Sequence, residues 1–303
     1  MKILNAGIKD SSVVIQVNAA KGLQEIGDSR GIELLYKILR GDDTDGIVAA
    51  LGALYELREE RLSPLVVNLI KNSDPLVRTE AYRVIAELSQ PEVKKILIDG
   101  TKDRIVRIRR IAYRGLAQFK DKTVLQPGLR DPDPIVRIES ARSLGLCGEK
   151  GMENFIRNEL KLKNPEVWAQ GVLALAELRD TSALDFIKKL LVETPWDLKI
   201  TACEALLILN DRSGIDILKQ GLESEDPFVR IKTVGVLKRF LISELFEPLK
   251  EATKDEYINV SITAIEALAR YRQKECKNLF AKLMDAPNPL VKIAAATAYL
   301  REE

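Results

Sequence analysis

The sequence predicts an all-α fold, a right-handed α-solenoid (superhelix) of two-helix repeats, and three observations carry that prediction. One motif recurs at a fixed spacing along the whole chain. The apolar residues inside each copy recur at helical spacing. No segment alternates apolar and polar residues over a length that would make a strand.

The motif is clearest at Asp74-Pro75-Leu76-Val77-Arg78, and it returns at Asp133-Pro134-Ile135-Val136-Arg137 and at Asp226-Pro227-Phe228-Val229-Arg230. Taking the arginine as slot zero, the chain reads Gln16, Ile47, Arg78, Arg109, Arg137, Trp168, Lys199, Arg230, Ser261, Lys292. Every interval is 31 residues except Arg109 to Arg137, which is 28. This gives about nine to ten repeats.

Three residues after slot zero the side chains are small, from Ala19 and Ala50 through Gly171 to Ala295. Seven after, they are large and apolar, from Leu23 and Leu54 to Tyr299, and ten after they are again apolar, as at Leu88 and Leu178. Offsets of three, seven and ten share one face of a helix. This is helix A, with small residues where helices cross closely. Asp74, Asp133, Asn164, Thr194, Asp226 and Asn288 each precede a proline. Their side-chain oxygens accept from the first free N–H groups of helix A, and proline at N1 gives up no bond the helix needs.

A polar turn such as Gly27-Asp28-Ser29-Arg30 or Asn210-Asp211-Arg212-Ser213 leads to helix B. Its apolar pairs recur as Leu34-Leu35, Leu65-Val66, Phe155-Ile156 and Ile217-Leu218. One such pair of helices cannot bury its own stripe, so each repeat needs its neighbours as walls.

The array is read as one domain over 1–303, with a half-repeat at 1–9, repeats from 10 to 284 and a half-repeat at 285–303. Ile3-Leu4-Asn5-Ala6-Gly7-Ile8 aligns with the tail of a helix B at Ile217–Leu222, and the C-terminus stops inside a helix A. Two expectations follow. Either the chain is a piece of a longer array, or its open ends meet a partner or another copy, an end-to-end self-association.

Composition narrows the chemistry. There is no histidine, which removes Ser-His-Asp, Cys-His and His-based metal sites together. Cys147, Cys203 and Cys276 have no CxxC spacing and fall on helical slots, so they read as reduced thiols, not ligands. The net charge of +2 argues against a dedicated nucleic-acid binder. No apolar run approaches a membrane span, and the N-terminus lacks the apolar core of a signal peptide, so the expected location is cytoplasmic. No enzymatic activity, metal or cofactor is expected.

The D-P-x-V-R…A-A…L-G pattern resembles the short HEAT-like repeats first associated with phycobilisome lyase subunits, over essentially the whole chain. The resemblance implies a ladder in which aspartate and arginine slots alternate along the solenoid. It would comprise Asp74, Arg78, Arg109, Asp133, Arg137, Asp226 and Arg230, continued by Lys199 and Lys292 and interrupted by Trp168, Gln16, Ile47 and Ser261. Deoxyhypusine hydroxylases are similar in fold but hold two irons with His-Glu pairs, which a chain without histidine does not have. HEAT-like alkylpurine DNA glycosylases use a basic groove with aromatics and an aspartate, and no matching constellation is present. Bilin lyase subunits match better, although no residue marks a chromophore site.

In solenoids of this type the B helices line the concave face, and offset twenty points away from the core. It reads Tyr36, Val67, Ile98 and Leu129, then Arg157, Lys188, Lys219 and Lys250. The first four are apolar or aromatic, and the next four are cations in line. Such a face suits an acidic or helical protein partner. A second cluster, Arg104, Arg107, Arg109, Arg110 and Arg114, is expected toward the convex side apart from Arg109 in its ladder slot. Trp168 and Trp196 are the only tryptophans. Trp168 stands in an arginine slot, where it either packs between repeats or anchors an interface. Three functions are compatible with these features: a protein-interaction scaffold, a subunit of a bilin-lyase-like or other modifying complex, and a binder of nucleic acid or phosphate through the basic row.

Overall fold

The computed structural model describes residues 1–58, 63–192, 194–271 and 273–301, and these are helical without strands. The chain begins with α1 (Lys2–Gly7), α2 (Val13–Glu25), α3 (Arg30–Ile38) and α4 (Thr44–Glu56). It continues with α5 (Pro64–Leu69), α6 (Pro75–Ile85), α7 (Pro91–Gly100), α8 (Val106–Leu116) and α9 (Lys122–Leu125). Then come α10 (Pro134–Leu146), α11 (Met152–Glu159), α12 (Pro165–Glu177), α13 (Leu184–Lys189) and α14 (Trp196–Ile208). The last are α15 (Ile215–Leu222), α16 (Pro227–Arg239), α17 (Phe246–Ala252), α18 (Ile258–Leu268), α19 (Lys274–Leu283) and α20 (Pro289–Leu300). Even-numbered helices carry slot zero and are the A helices; odd-numbered ones are the B helices. None is long and apolar enough to cross a membrane.

The caps explain why the A helices start where they do. Asp74, Asp133 and Asp226 each accept from the N–H two residues on, and Asn164 and Asn288 accept from two successive N–H groups. Thr194 does not cap. α14 begins at the same slot as its relatives, but here the N-cap position is held by Pro195 itself. Thr194 therefore lies one residue too early to cap, and its hydroxyl donates back to the Leu190 carbonyl.

The A helices stop by a device that recurs at offset eleven. Gly27, Arg58, Lys120, Gly148, Arg179 and Asn210 all have left-handed backbone, with φ between 52° and 85°. In four of these turns the next N–H reaches back to the offset-seven carbonyl, for example Asp180 to Leu175 and Asp211 to Leu206. This is the Schellman closure. A lysine there costs about 1–2 kcal/mol of backbone strain, while glycine loses about 0.5–1 kcal/mol more chain entropy on folding. Strain outweighs entropy at Lys120, an exposed residue. Lys120→Gly is therefore expected to raise stability by about 0.5 kcal/mol, read as a higher denaturation midpoint in urea at unchanged slope.

The stripes are buried as the frame requires. The offset-three residues are inaccessible in every repeat, and offset seven is closed except at Tyr299 in α20. Where three residues are missing, the B element is α9 followed by a tight 3₁₀ segment, Gln126–Arg130. The longer rise of a 3₁₀ turn recovers length that the shorter sequence gives up.

The structure forms two compact units, a middle one, Arg58–Ile215, and a terminal one, Met1–Leu57 together with Asp216–Glu303. In the middle unit, α6, α8, α10, α12 and α14 pack on one another in succession, and the B elements flank them without packing comparably together. The terminal unit repeats this arrangement with α16, α18, α20, α2 and α4. In both, the small offset-three residues face a glycine of the preceding B helix, as Ala19 faces Gly7, Ala112 faces Gly100 and Thr233 faces Gly221. In the terminal unit A-helix side chains also meet beyond their immediate neighbours: Lys21 of α2 bonds Glu266 of α18, and Lys238 of α16 lies 3.9 Å from Glu56 of α4. This unit therefore curves toward its A helices, against the expectation that B helices line the concave side.

The terminal unit also gives the two half-repeats an occupant for each other. α1 stands where α20 needs a B helix, and α20 packs on both α1 and α2. Leu4, Ala19 and Leu23 share one buried cluster with Ile293 and Ala296. The apolar faces expected to be open for end-to-end association are thus covered within the chain.

Candidate interaction surface

The offset-twenty row lies on the B side of both units. In the middle unit Val67 and Ile98 are half-buried, and so is Leu129, which packs on the core around α12. In the terminal unit Tyr36 is half-buried on α3. These apolar residues are partly absorbed by the fold and do not stand out as a bare patch.

The cations of the row are mostly committed. Arg157 holds Asp180, and also donates to Asn154 and Ser182. Lys188 reaches Asp211 at 2.7 Å. Lys250 pairs with Glu247 and Glu275, with its ammonium 5.6 Å from the Phe246 ring centre. Lys94 and Lys122 repeat the device with Asp121 and Glu149. A cation of one B helix thus grips the turn that opens the next B helix. The position 23 residues beyond Lys219, matching Asp180 and Asp211, is Ile242, and Lys219 is exposed with no ion pair among the described residues. Sequence reading finds the row of cations but not its acids, because the two members of each pair lie in different repeats.

Asp211 is held down to about 2 by hydrogen bonds from Lys188 and from the Ser213 side chain and backbone. Its folded pKa lies below the ordinary 3.8, so it stabilises the fold above that value, and the contribution disappears as pH falls through about 2. Asp211→Asn is expected to lower Tm at pH 6 but to leave it near that of the wild type at pH 2. An equal deficit at both pH values would show that the charge contributes nothing.

A second set of bonds runs along the A helices, and here the inferred ladder needs correction. Asp74, Asp133 and Asp226 are caps, not partners of the arginines. Arg109 grips Asp131, Arg137 grips Glu159 and Arg230 grips Asp255, each through two N–H groups. The remaining nitrogen donates to the carbonyl six residues back, at Asp103, Asp131 and Ser224 respectively. Arg78 makes the backbone bond too, to Asn72. Gln16 donates to Asp10, Ser261 to Thr253 and the Trp168 indole to Leu160. In these repeats slot zero supplies a donor for the last carbonyls of the preceding B element. Glutamine, serine and tryptophan do so in place of arginine, whereas Ile47 is a buried aliphatic side chain with no donor and stays a break in the pattern. Lys199 instead sits 5.4 Å from the ring centre of Trp196.

Clefts open between neighbouring B elements. In the middle unit Leu160, Leu175, Ala183 and Phe186 line a cleft of about 310 Å³, with Arg157, Lys161 and Ser182 at its mouth. Trp168 supports it from behind: its ring meets Phe186 edge-on at 6.0 Å, and its N–H fixes Leu160. Trp168 therefore packs between repeats. In the terminal unit a cleft of about 550 Å³ lies between α15 and α17, walled by Leu222 and Pro248 and rimmed by Glu223, Glu247, Glu251 and Asp255.

The second arginine cluster divides. Arg104 precedes α8 and is exposed. Arg107 lies 3.7 Å from Glu80 and Arg114 3.1 Å from Glu139, both reaching a neighbouring A helix, so they lie on the A-helix side of the unit. Arg110 has its pKa lowered chiefly by burial, an effect Glu139 opposes. The A side of the terminal unit holds a set the sequence does not single out. Lys21 bonds Glu266 at 2.6 Å and Glu56 at 2.8 Å, and Lys238 bonds Glu266 at 2.6 Å. Burial alone would pull the Lys21 pKa down, but the two carboxylates outweigh it and hold it above the ordinary lysine value. Of the cysteines, Cys203 is fully buried, which pushes its thiol up to about 12.

Comparison with known proteins places the fold. The HEAT-repeat model matches residues 41–117 and 123–206, and the phycobilisome-lyase HEAT-like repeat matches 15–41. No curated protein matches the chain. Among solved structures, the complex of CpcE and CpcF of phycocyanin lyase from Nostoc sp. PCC7120 aligns with a TM-score of 0.51 at 18% identity, over 74% of this chain and 95% of that one. Kap121p aligns at 0.42 and 15% identity, over 98% of this chain and 39% of that one. Human deoxyhypusine hydroxylase aligns at 0.35 and 17% identity, over 83% and 95%. With the HEAT-repeat model covering more than half of its residues on an all-α solenoid of two-helix repeats, the chain belongs to the HEAT-repeat family.

Proposed function

We propose that the chain is a non-catalytic protein-interaction scaffold that receives its partner on the B-helix side. The observation that carries this reading is the pair of clefts between B elements, which leave concave surface on the side that core packing does not consume. Immobilised full chain, incubated with extract of its source cell and then cross-linked at lysines, tests the reading. Cross-links to a retained protein are expected at B-side lysines such as Lys161, Lys188 and Lys219. Cross-links confined to Lys21, Lys232 and Lys238, or no protein retained at physiological salt, would overturn it.

A second reading, a subunit of a bilin-lyase-like complex, is supported by the repeat matched over 15–41. Adding free bilin to the chain tests it. A shifted and sharpened visible absorption band supports this reading, and an unchanged spectrum removes it.

A further inference from the structure

Resting on the scaffold reading, we infer that the cleft between α11 and α13 is a docking site for an acidic peptide segment that inserts bulky apolar side chains. The interior supplies the apolar half of the argument. Leu175 forms a floor with no exposure of its own, and Leu160 and Phe186 form walls held in place by Trp168. A volume of about 310 Å³ has room for more than one large side chain. Leu162 and Val192 lie just beyond the ends of the same two B elements and are 54% and 64% exposed. Exposed apolar surface beside a preformed apolar cleft is what an inserted anchor covers.

The rim supplies the charge. Arg157 is already neutralised by Asp180, but Lys161 donates only to the neutral Asn158 side chain. Lys163, held in left-handed backbone at the end of the same element, and Lys189 on α13 have no carboxylate partner among the described residues. α13 carries one exposed carboxylate, Asp185, against these three cations. The excess positive charge around an apolar cleft is complementary to an apolar anchor flanked by aspartate or glutamate, and it repels a basic segment. The cleft of the terminal unit has the opposite rim, with Glu223 and Glu251 at its edge, so the two clefts do not take the same ligand.

The test is selection of random phage-displayed dodecapeptides on the immobilised full chain, followed by titration of the recovered peptides in solution. Peptides combining Asp or Glu with Leu, Phe, Met or Trp are expected. Binding should change the emission of Trp168, which becomes the sole tryptophan in a Trp196→Phe background. The surface triple variant Lys161→Glu/Lys163→Glu/Lys189→Glu is expected to weaken binding by about tenfold or more. Ser182→Phe, which sets a ring over the mouth, is expected to abolish the Trp168 response. Circular dichroism of both variants confirms that the helices are intact. Recovery of no peptides, of peptides without acidic enrichment, or of peptides whose affinity is the same in both variants overturns the inference. If these variants still retain and cross-link the cellular partner on the B side, the cleft assignment fails while the scaffold reading stands. If wild-type chain retains no protein, the scaffold reading fails with it.

Discussion

Replacing Leu4 by alanine is expected to destabilise the terminal unit by about 2–5 kcal/mol, and to loosen a helix at the far end of the sequence. Leu4 is fully buried in one cluster with Ala19, Leu23, Ile293 and Ala296. It belongs to α1, which is only six residues long and has no stability as an isolated helix. Its stability comes from α2 and α20. The contact is close: a Cβ on Gly22 would lie 2.2 Å from the Thr297 hydroxyl, so the backbones of α2 and α20 approach as only glycine permits. The cavity left at Leu4 therefore sits against α20 with little freedom to collapse. Amide hydrogen exchange provides the readout. In Leu4→Ala, the amides of Ala295–Tyr299 should exchange faster, while those of α10 and α12 in the middle unit keep their protection. Unchanged exchange in α20 would mean that α1 does not support it in solution.

The second large effect is expected at Glu266. Its carboxylate accepts from both Lys21 and Lys238, and Lys21 also holds Glu56, so four A helices or their ends are joined through one cluster. Burial would push the Glu266 pKa up, but the two ammonium groups hold it below the ordinary value. Removing the carboxylate leaves Lys21, whose side chain is 14% exposed, with only the more exposed Glu56. A buried pair that loses one member costs about 3–5 kcal/mol, and an exposed one less than about 1. The partial exposure of this cluster puts Glu266→Leu at about 2–3 kcal/mol. Pairing it with Lys21→Met removes the stranded charge, so the double variant should recover at least half of the loss. If the two effects simply add in denaturant unfolding, the pair contributes no coupling and the cluster is not a lock.

The caps show how far sequence reaches. Asp74, Asp133, Asn164, Asp226 and Asn288 act within two or three residues of themselves, and all five behave as their local chemistry requires. Thr194 fails because the proline after it takes the N-cap slot and not N1, which leaves the threonine one residue before the helix, with its hydroxyl donating to Leu190. The small and large slots of helix A are equally legible, since burial follows from helical period. The interaction surface is less so. Arg157, Lys188 and Lys250 read as a row of binding cations, yet each meets a carboxylate 23 or 25 residues away, in the next repeat. Trp168 reads as a break in a ladder, whereas its indole N–H makes the same kind of backbone bond as the arginine it replaces.

The sequence by itself determined the class of fold, the repeat length, the capped starts of the A helices and the residues of the core. Each of these depends on interactions within one helix or one repeat, so a period and a residue type suffice. Tertiary structure decided which side the terminal unit curves toward, which cations remain unpaired, where clefts open and that α1 completes α20. These depend on how closely neighbouring backbones approach and on which charges meet across repeats. Lys238 and Glu56 lie 3.9 Å apart although they belong to α16 and α4, and such a meeting exists only once the repeats are stacked.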